Sequence, residues 1–176
     1  MKREDRRFLI PDYLFFFFIF LFFIFGSSFG AVFSADVSVV LSFSAKTDLL
    51  SAFLDCVLFP LLSLLLGHYL FGFILFPFLA FICGFLSAFV SAVLISNGLS
   101  VRSILLLFSV IFSSAAFIFL SSYSFSYSFL LFRASVLRKR DPILFFGKRF
   151  TRFAVSFLLL VVSFAFRLAF SLLFSI

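Results

Sequence analysis

Residues 13 to 33, from Tyr13 to Phe33, form an unbroken apolar run without a single charge. A helix rises about 1.5 Å per residue, and crossing about 30 Å of hydrocarbon takes on the order of 20 apolar residues. The run is therefore long enough to span a bilayer, and four more apolar runs follow it, from Leu49 to Leu66, Phe71 to Ile95, Ile104 to Leu120 and Phe153 to Phe174. With 65% hydrophobic and only 12% charged residues, too little polar surface remains to cover a water-soluble globule, which carries about 25% charged residues. In lipid the backbone must satisfy itself, so only helices or closed barrels remain. Barrel strands would alternate over about ten residues, and these runs do not. The expected fold class is all-α, a polytopic transmembrane bundle of five spans forming one membrane domain over residues 1–176.

Local signals punctuate the runs. Pro11 stands where a first helix can begin. The first run is longer than a signal-peptide core, and Phe33 spoils the small-residue pattern before Ala35, so the segment is expected to stay attached. Gly67, His68, Tyr69 and Leu70 are all that separates the second and third runs, which suits a tight helical hairpin. Asn97 and Gly98 supply a stop before the fourth run, whose end is blurred by the serines between Ser121 and Ser128.

Basic residues orient the bundle, because cytoplasmic loops of membrane proteins hold the excess of Lys and Arg. Lys2, Arg3, Arg6 and Arg7 precede the first span, and Arg133, Arg138, Lys139, Arg140, Lys148, Arg149 and Arg152 lie between the fourth and the fifth. Five crossings put both groups on one side, eleven basic residues against Lys46 and Arg102 on the other. The N-terminus is then inside and the C-terminus outside, in the cell membrane. The net charge of +7 follows from this asymmetry, and the segment from Arg133 to Arg152 reads as a cytoplasmic anchor facing anionic lipid, with no nucleic acid as partner. The 37 phenylalanines and absent tryptophan also match what pyrimidine-rich DNA encodes in any frame, but random translation does not order charge in this way.

Ionisable groups inside a membrane cost about 2.5 to 3.5 kcal/mol each on insertion scales, which makes Asp55 and Arg167 candidates for function. Both fall in the outer half of the bilayer, where they are expected either to pair and join spans two and five or to reach separately for the interface. Gly26 and Gly30, four apart, permit close helix approach, and Gly84 is a third packing candidate. Pro60 and Pro77 each remove a helical hydrogen bond from their spans. His68 is the only histidine and lacks the Cys, His and carboxylate company of a metal site; Cys56 and Cys83 read as small apolar side chains. Serines without a placed base give no nucleophile. No cofactor, metal or catalytic residue is expected.

The stretches Gly26 to Ala31 (GSSFGA), Gly67 to Gly72 (GHYLFG) and Leu75 to Phe89 (LFPFLAFICGFLSAF), with Asn97-Gly98 before span four, resemble the stage II sporulation protein M family of five-span bacterial membrane proteins. In that family a basic residue commonly precedes the Gly-Phe pair, where Cys83 stands here. The resemblance implies a non-enzymatic scaffold that anchors the cell-wall hydrolysing proteins D and P of the same stage at the septal membrane during engulfment, with extracytoplasmic hydrolases or other membrane proteins as partners. The rival reading is a small transporter or permease component, in which Pro60, Pro77, Asp55 and Arg167 line a path, although no internal repeat accompanies it.

Overall fold

The computed structural model describes residues 12–36, 49–96, 98, 100–136 and 146–174, and side chains within 13–34, 56–96, 98, 100–101, 103–136 and 153–173. Five helices follow one another: α1 (Asp12–Asp36), α2 (Leu49–Gly67), α3 (Gly72–Ser96), α4 (Val101–Val136) and α5 (Phe146–Phe174). Among the described residues there is no strand. Four apolar stretches are long enough to cross a membrane, Tyr13–Ser34, Gly72–Ser96, Ser103–Val136 and Phe153–Leu173, while the described apolar part of α2, Cys56–Gly67, is shorter. This is the construction of a membrane-embedded protein, since an apolar residue faces outward at most exposed positions, from Phe17 and Phe25 on α1 to Leu158 and Leu172 on α5.

The longest helix is the hub. α4 packs against each of the other four, and its neighbours touch in the order α1, α3, α2, α5, with no α1–α2, α1–α5 or α3–α5 packing among the described residues. α1 and α3 run parallel, since Gly26 lies level with Phe81 and Gly30 with Phe85. α2 runs parallel to α4, with Cys56 beside Ser109 and His68 beside Tyr127. α3 is antiparallel to α4, because Ser87 meets Ser114 while Phe73 meets Phe129. The step from Val136 to Phe146 reaches at most about 36 Å, whereas α4 is about 54 Å long, so α5 must fold back antiparallel to it.

The fourth span does not stop near Leu120. α4 continues for 16 further residues, and the serine-rich stretch is its most enclosed part: Ser121, Ser122, Ser124, Ser126 and Ser128 are all buried. Small side chains let neighbouring helices approach there, and a hydroxyl can bond within its own or a neighbouring helix, so the stretch that blurs the end of the run in sequence continues the helix with its serines enclosed. The apolar core beside it comprises Phe15 and Ile19 of α1, Phe76, Ala80 and Cys83 of α3, and Phe117, Ile118 and Phe125 of α4. The Gly98 turn has φ +94°, and Ser100 caps α4, accepting the Ser103 N–H at 3.2 Å while the Ser103 hydroxyl donates to the Gly98 carbonyl at 3.0 Å.

Candidate functional site

Pro60 lies inside α2 and has no N–H, so the carbonyl four residues earlier, that of Cys56, loses its helical donor. α4 supplies the replacement. The Ser113 hydroxyl donates to the Cys56 carbonyl at 3.0 Å. One turn away on α4, Ser109 meets Ser163 of α5, whose hydroxyl donates to the Ser109 carbonyl at 2.8 Å. Ser163 has a single hydroxyl proton and this short contact claims it. Ser163 Oγ also lies 3.2 Å from Ser109 Oγ and 3.4 Å from Cys56 Sγ. Cys56 Sγ also lies 3.6 Å from Ser109 Oγ. Cys56, Ser109 and Ser163 are each almost fully enclosed. Three helices thus meet at a buried node of hydroxyls, a thiol and a freed carbonyl.

Aromatic rings close the node on one side. Phe166, next to the arginine on α5, stacks with Phe108 at 5.4 Å and Phe112 at 5.6 Å, the latter pair inclined by only 7°. Arg167 is half-buried with its guanidinium carbon 5.8 Å from the Phe170 ring centroid. It stands one turn beyond Ser163, and Asp55 immediately precedes Cys56, so the backbone brings both positions to one end of the α2–α5 contact. The Asp55 side chain lies outside the described residues. His68 is remote from this node: its ring lies 5.7 Å from that of Tyr127, about 27 Å along α4 from Ser109, and its Nδ1 meets the Leu64 carbonyl at 2.8 Å. Nothing in the node therefore draws on the histidine as a base. No group of three His, Cys, Asp or Glu stands close enough to hold a metal ion among the described residues.

A second constellation joins α1 to α3. A methyl group at Gly26 would fall on the Phe81 carbonyl, one at Gly30 on the Phe85 carbonyl, and one at Gly84 on the Phe23 carbonyl. The three glycines thus share one seam, where the two backbones approach too closely for any side chain. Ser27 stitches it, donating to its own Phe23 carbonyl at 2.9 Å with the Gly84 carbonyl of α3 at 3.3 Å. Rings flank the seam, Phe29 on Phe81 at 5.8 Å and Phe33 on Phe85 at 6.0 Å.

The α2–α3 turn is the third. Ser128 of α4 accepts the Phe73 N–H at 2.9 Å and donates to the Tyr69 carbonyl at 2.6 Å, satisfying one of the open donors at the start of α3 from a different helix. Gly67 leaves room for Ser124, and a methyl group at Gly72 would fall on the Leu66 carbonyl, with Ser128 Oγ beside it. Of the basic segment, Arg133 sits buried in the last turn of α4, and Lys148, Arg149 and Arg152 fall in the first turns of α5. Arg138, Lys139 and Arg140, and the side chains of those three α5 residues, lie outside the described residues. Serines that join the helices, among them Ser109, Ser113, Ser128 and Ser163, were not singled out by the sequence. The one usable signal was Pro60, whose freed carbonyl requires a donor from elsewhere.

Fold and site together define an all-helical membrane protein whose buried polar groups bind helix to helix. Against family models, curated proteins and solved structures, the chain matches none.

Proposed function

We propose that this chain is a multi-pass protein of the cell membrane that crosses it five times, N-terminus inside and C-terminus outside, and acts as a non-enzymatic scaffold. In this reading it holds extracytoplasmic cell-wall hydrolases, as the sporulation family it resembles implies. The observation that carries the scaffold reading is the use to which its distinctive residues are put. Gly26, Gly30 and Gly84 give up side chains for backbone contact between α1 and α3, and Ser113, Ser128 and Ser163 spend their hydroxyl protons on carbonyls of neighbouring helices or of the α2–α3 turn. Such groups stiffen a platform. Five crossings are supported by the parallel course of α1 and α3, because the chain between them must return the full depth of the bundle, and α2 is the element that does so. The same reading assigns Asp55 and Arg167 to an ion pair between α2 and α5, supported by the contact of Cys56 with Ser163.

Single cysteines at Ser44, Asn97, Ser135 and Ser175, labelled from each side of the membrane, test the topology. Cys56 and Cys83 are both buried, so the native thiols give little background. Labelling of Ser135 from the cytoplasm and of the other three from outside is expected. Cytoplasmic labelling at Ser175 makes the count even and removes the proposed orientation. Cross-linking in membranes at positions in the outer loops, Ala35 to Asp48 and Ser96 to Ser103, is expected to capture wall hydrolases; substrate flux through reconstituted vesicles without such capture would replace the scaffold with a transporter.

A further inference from the structure

All four tyrosines of the chain and its one histidine lie at one end of the bundle. Tyr69 is fixed there because its carbonyl receives the Ser128 hydroxyl at 2.6 Å. The His68 ring lies 5.7 Å from Tyr127, and Tyr123 stands one turn away on α4. Tyr13 joins them from α1, two residues before Phe15, whose ring lies 5.0 Å from Phe125 and 5.6 Å from Phe129. Along α4 these levels run from residue 123 to about residue 130, a layer about 10 Å thick. Tyr13 and Tyr69 are 69% and 67% exposed, so they face whatever surrounds the bundle rather than its core.

Register brings basic residues to the same layer. α5 runs opposite to α4 with Ser163 beside Ser109, so the backbones of Lys148 and Arg149 fall level with Ser124 and Tyr123, and that of Arg152 about one turn deeper. Tyrosine rings, part apolar and part hydroxyl, and long basic side chains both favour the boundary between hydrocarbon and water. The spacing also closes. About 30 Å of hydrocarbon measured from this layer, about twenty residues of helix, reaches Phe33 on α1 and Phe108 on α4, just short of Asp36 and of the polar turn from Gly98 to Ser103.

We infer that Tyr13, Tyr69, Tyr123, Tyr127 and His68 form a one-sided belt that seats the bundle in the headgroup layer of one leaflet, the leaflet facing the basic α4–α5 connection. The partner is a lipid surface, and the belt fixes how deeply the bundle sits. The last two turns of α4, through Arg133 to Val136, extend beyond the belt on its water side. This rests on membrane insertion alone and holds whether or not the chain scaffolds any partner.

The absence of tryptophan makes the test direct, since each introduced tryptophan is the only one present. The full chain carrying Tyr13→Trp, Tyr69→Trp or Phe25→Trp is reconstituted in phosphatidylcholine and phosphatidylglycerol vesicles. Some vesicles contain lipid with a nitroxide on the headgroup and others lipid with the nitroxide midway along the acyl chain. Phe25 is exposed and about 18 Å along α1 from Tyr13, so its tryptophan serves as the deep reference. Headgroup label is expected to quench Tyr13→Trp and Tyr69→Trp more strongly than mid-chain label, with the order reversed for Phe25→Trp. Headgroup label confined to one leaflet is expected to reach both tyrosine positions or neither. Mid-chain quenching of either position, or quenching of the two from opposite leaflets, overturns the belt. If the variants fail to fold, the tyrosine emission of the unsubstituted chain is read with the same two labels, and dominant mid-chain quenching again overturns it.

Discussion

Ser113 of α4 donates its hydroxyl to the Cys56 carbonyl of α2 at 3.0 Å, the carbonyl whose helical donor is lost to Pro60 four residues on. A carbonyl left open in an apolar interior has no water to turn to, so the serine compensates for the proline. Ser113→Ala is therefore expected to destabilise the bundle by about 0.5 to 1.5 kcal/mol. In a Pro60→Ala background the N–H returns and the same substitution is expected to cost close to nothing. Denaturation of the four proteins in detergent, read as a double-mutant cycle, checks the coupling. An equal cost in both backgrounds would separate the serine from the proline.

Gly84 and Gly98 are both glycines for reasons that substitution tells apart. At Gly84 a methyl group meets the Phe23 carbonyl of α1, and neither backbone can yield without parting the helices. Gly84→Ala is expected to cost about 1 to 3 kcal/mol, with faster amide hydrogen exchange through the facing part of α1. Gly98 has open space around it but φ +94°, so Gly98→Ala is expected to cost about 1 to 2 kcal/mol from backbone strain alone and to leave exchange in α1 unchanged. Faster exchange in α1 for both variants would mean that the seam is not what Gly84 protects.

The starts and ends of α1, α2 and α3 were legible because long apolar runs, interrupted in α2 by Asp55 alone, and the Gly67–Gly72 turn define them without reference to anything distant. The end of α4 was not. Hydropathy counts the hydroxyls from Ser121 to Ser128 as polar surface, whereas the fold turns that stretch inward, where small size matters more than polarity. The spacing of Gly26 and Gly30 pointed to close packing, but the partner helix depends on tertiary register, and so does the meeting of Ser109 with Ser163. Serine is too common in this chain for spacing alone to pick out the residues whose faces meet. Arg133 belonged by sequence to a cytoplasmic anchor facing anionic lipid; the structure encloses it in the last turn of α4, a placement set by how far that helix runs on.

Ser128 and Ser135 share a helix but not a role. Ser128 holds the first turn of α3 through the Phe73 N–H and the preceding turn through the Tyr69 carbonyl, whereas Ser135 is exposed near the end of α4. Removing the Ser128 hydroxyl leaves the Phe73 N–H open, while the Tyr69 carbonyl keeps the Gly72 N–H at 3.0 Å. Ser128→Ala is expected to cost about 1 to 2 kcal/mol and to speed exchange of the Phe73 amide, while Ser135→Ala changes neither. An unchanged Phe73 amide in Ser128→Ala would show that another group caps α3.

Arg167 stands one turn beyond Ser163, and Asp55 immediately precedes the Cys56 that Ser163 contacts. If the two charges pair, each neutralises a cost that the other would bear alone, about 2.5 to 3.5 kcal/mol on insertion scales at the bilayer centre and less near the rim, where long side chains reach out. Register places Arg167 level with Leu105 of α4, about 35 Å from the Ser128 level, so the rim value applies. Arg167→Asp and Asp55→Arg are each expected to lower stability and the yield of folded protein in membranes, and the double reversal to recover more than half of the loss. That recovery needs direct contact between the two groups, because an arginine and a carboxylate solvated separately would gain nothing from exchanging places. A double variant no more stable than the sum of its parts would mean that Asp55 and Arg167 each reach the outer interface alone, and the joint between α2 and α5 would then rest on Cys56 and Ser163.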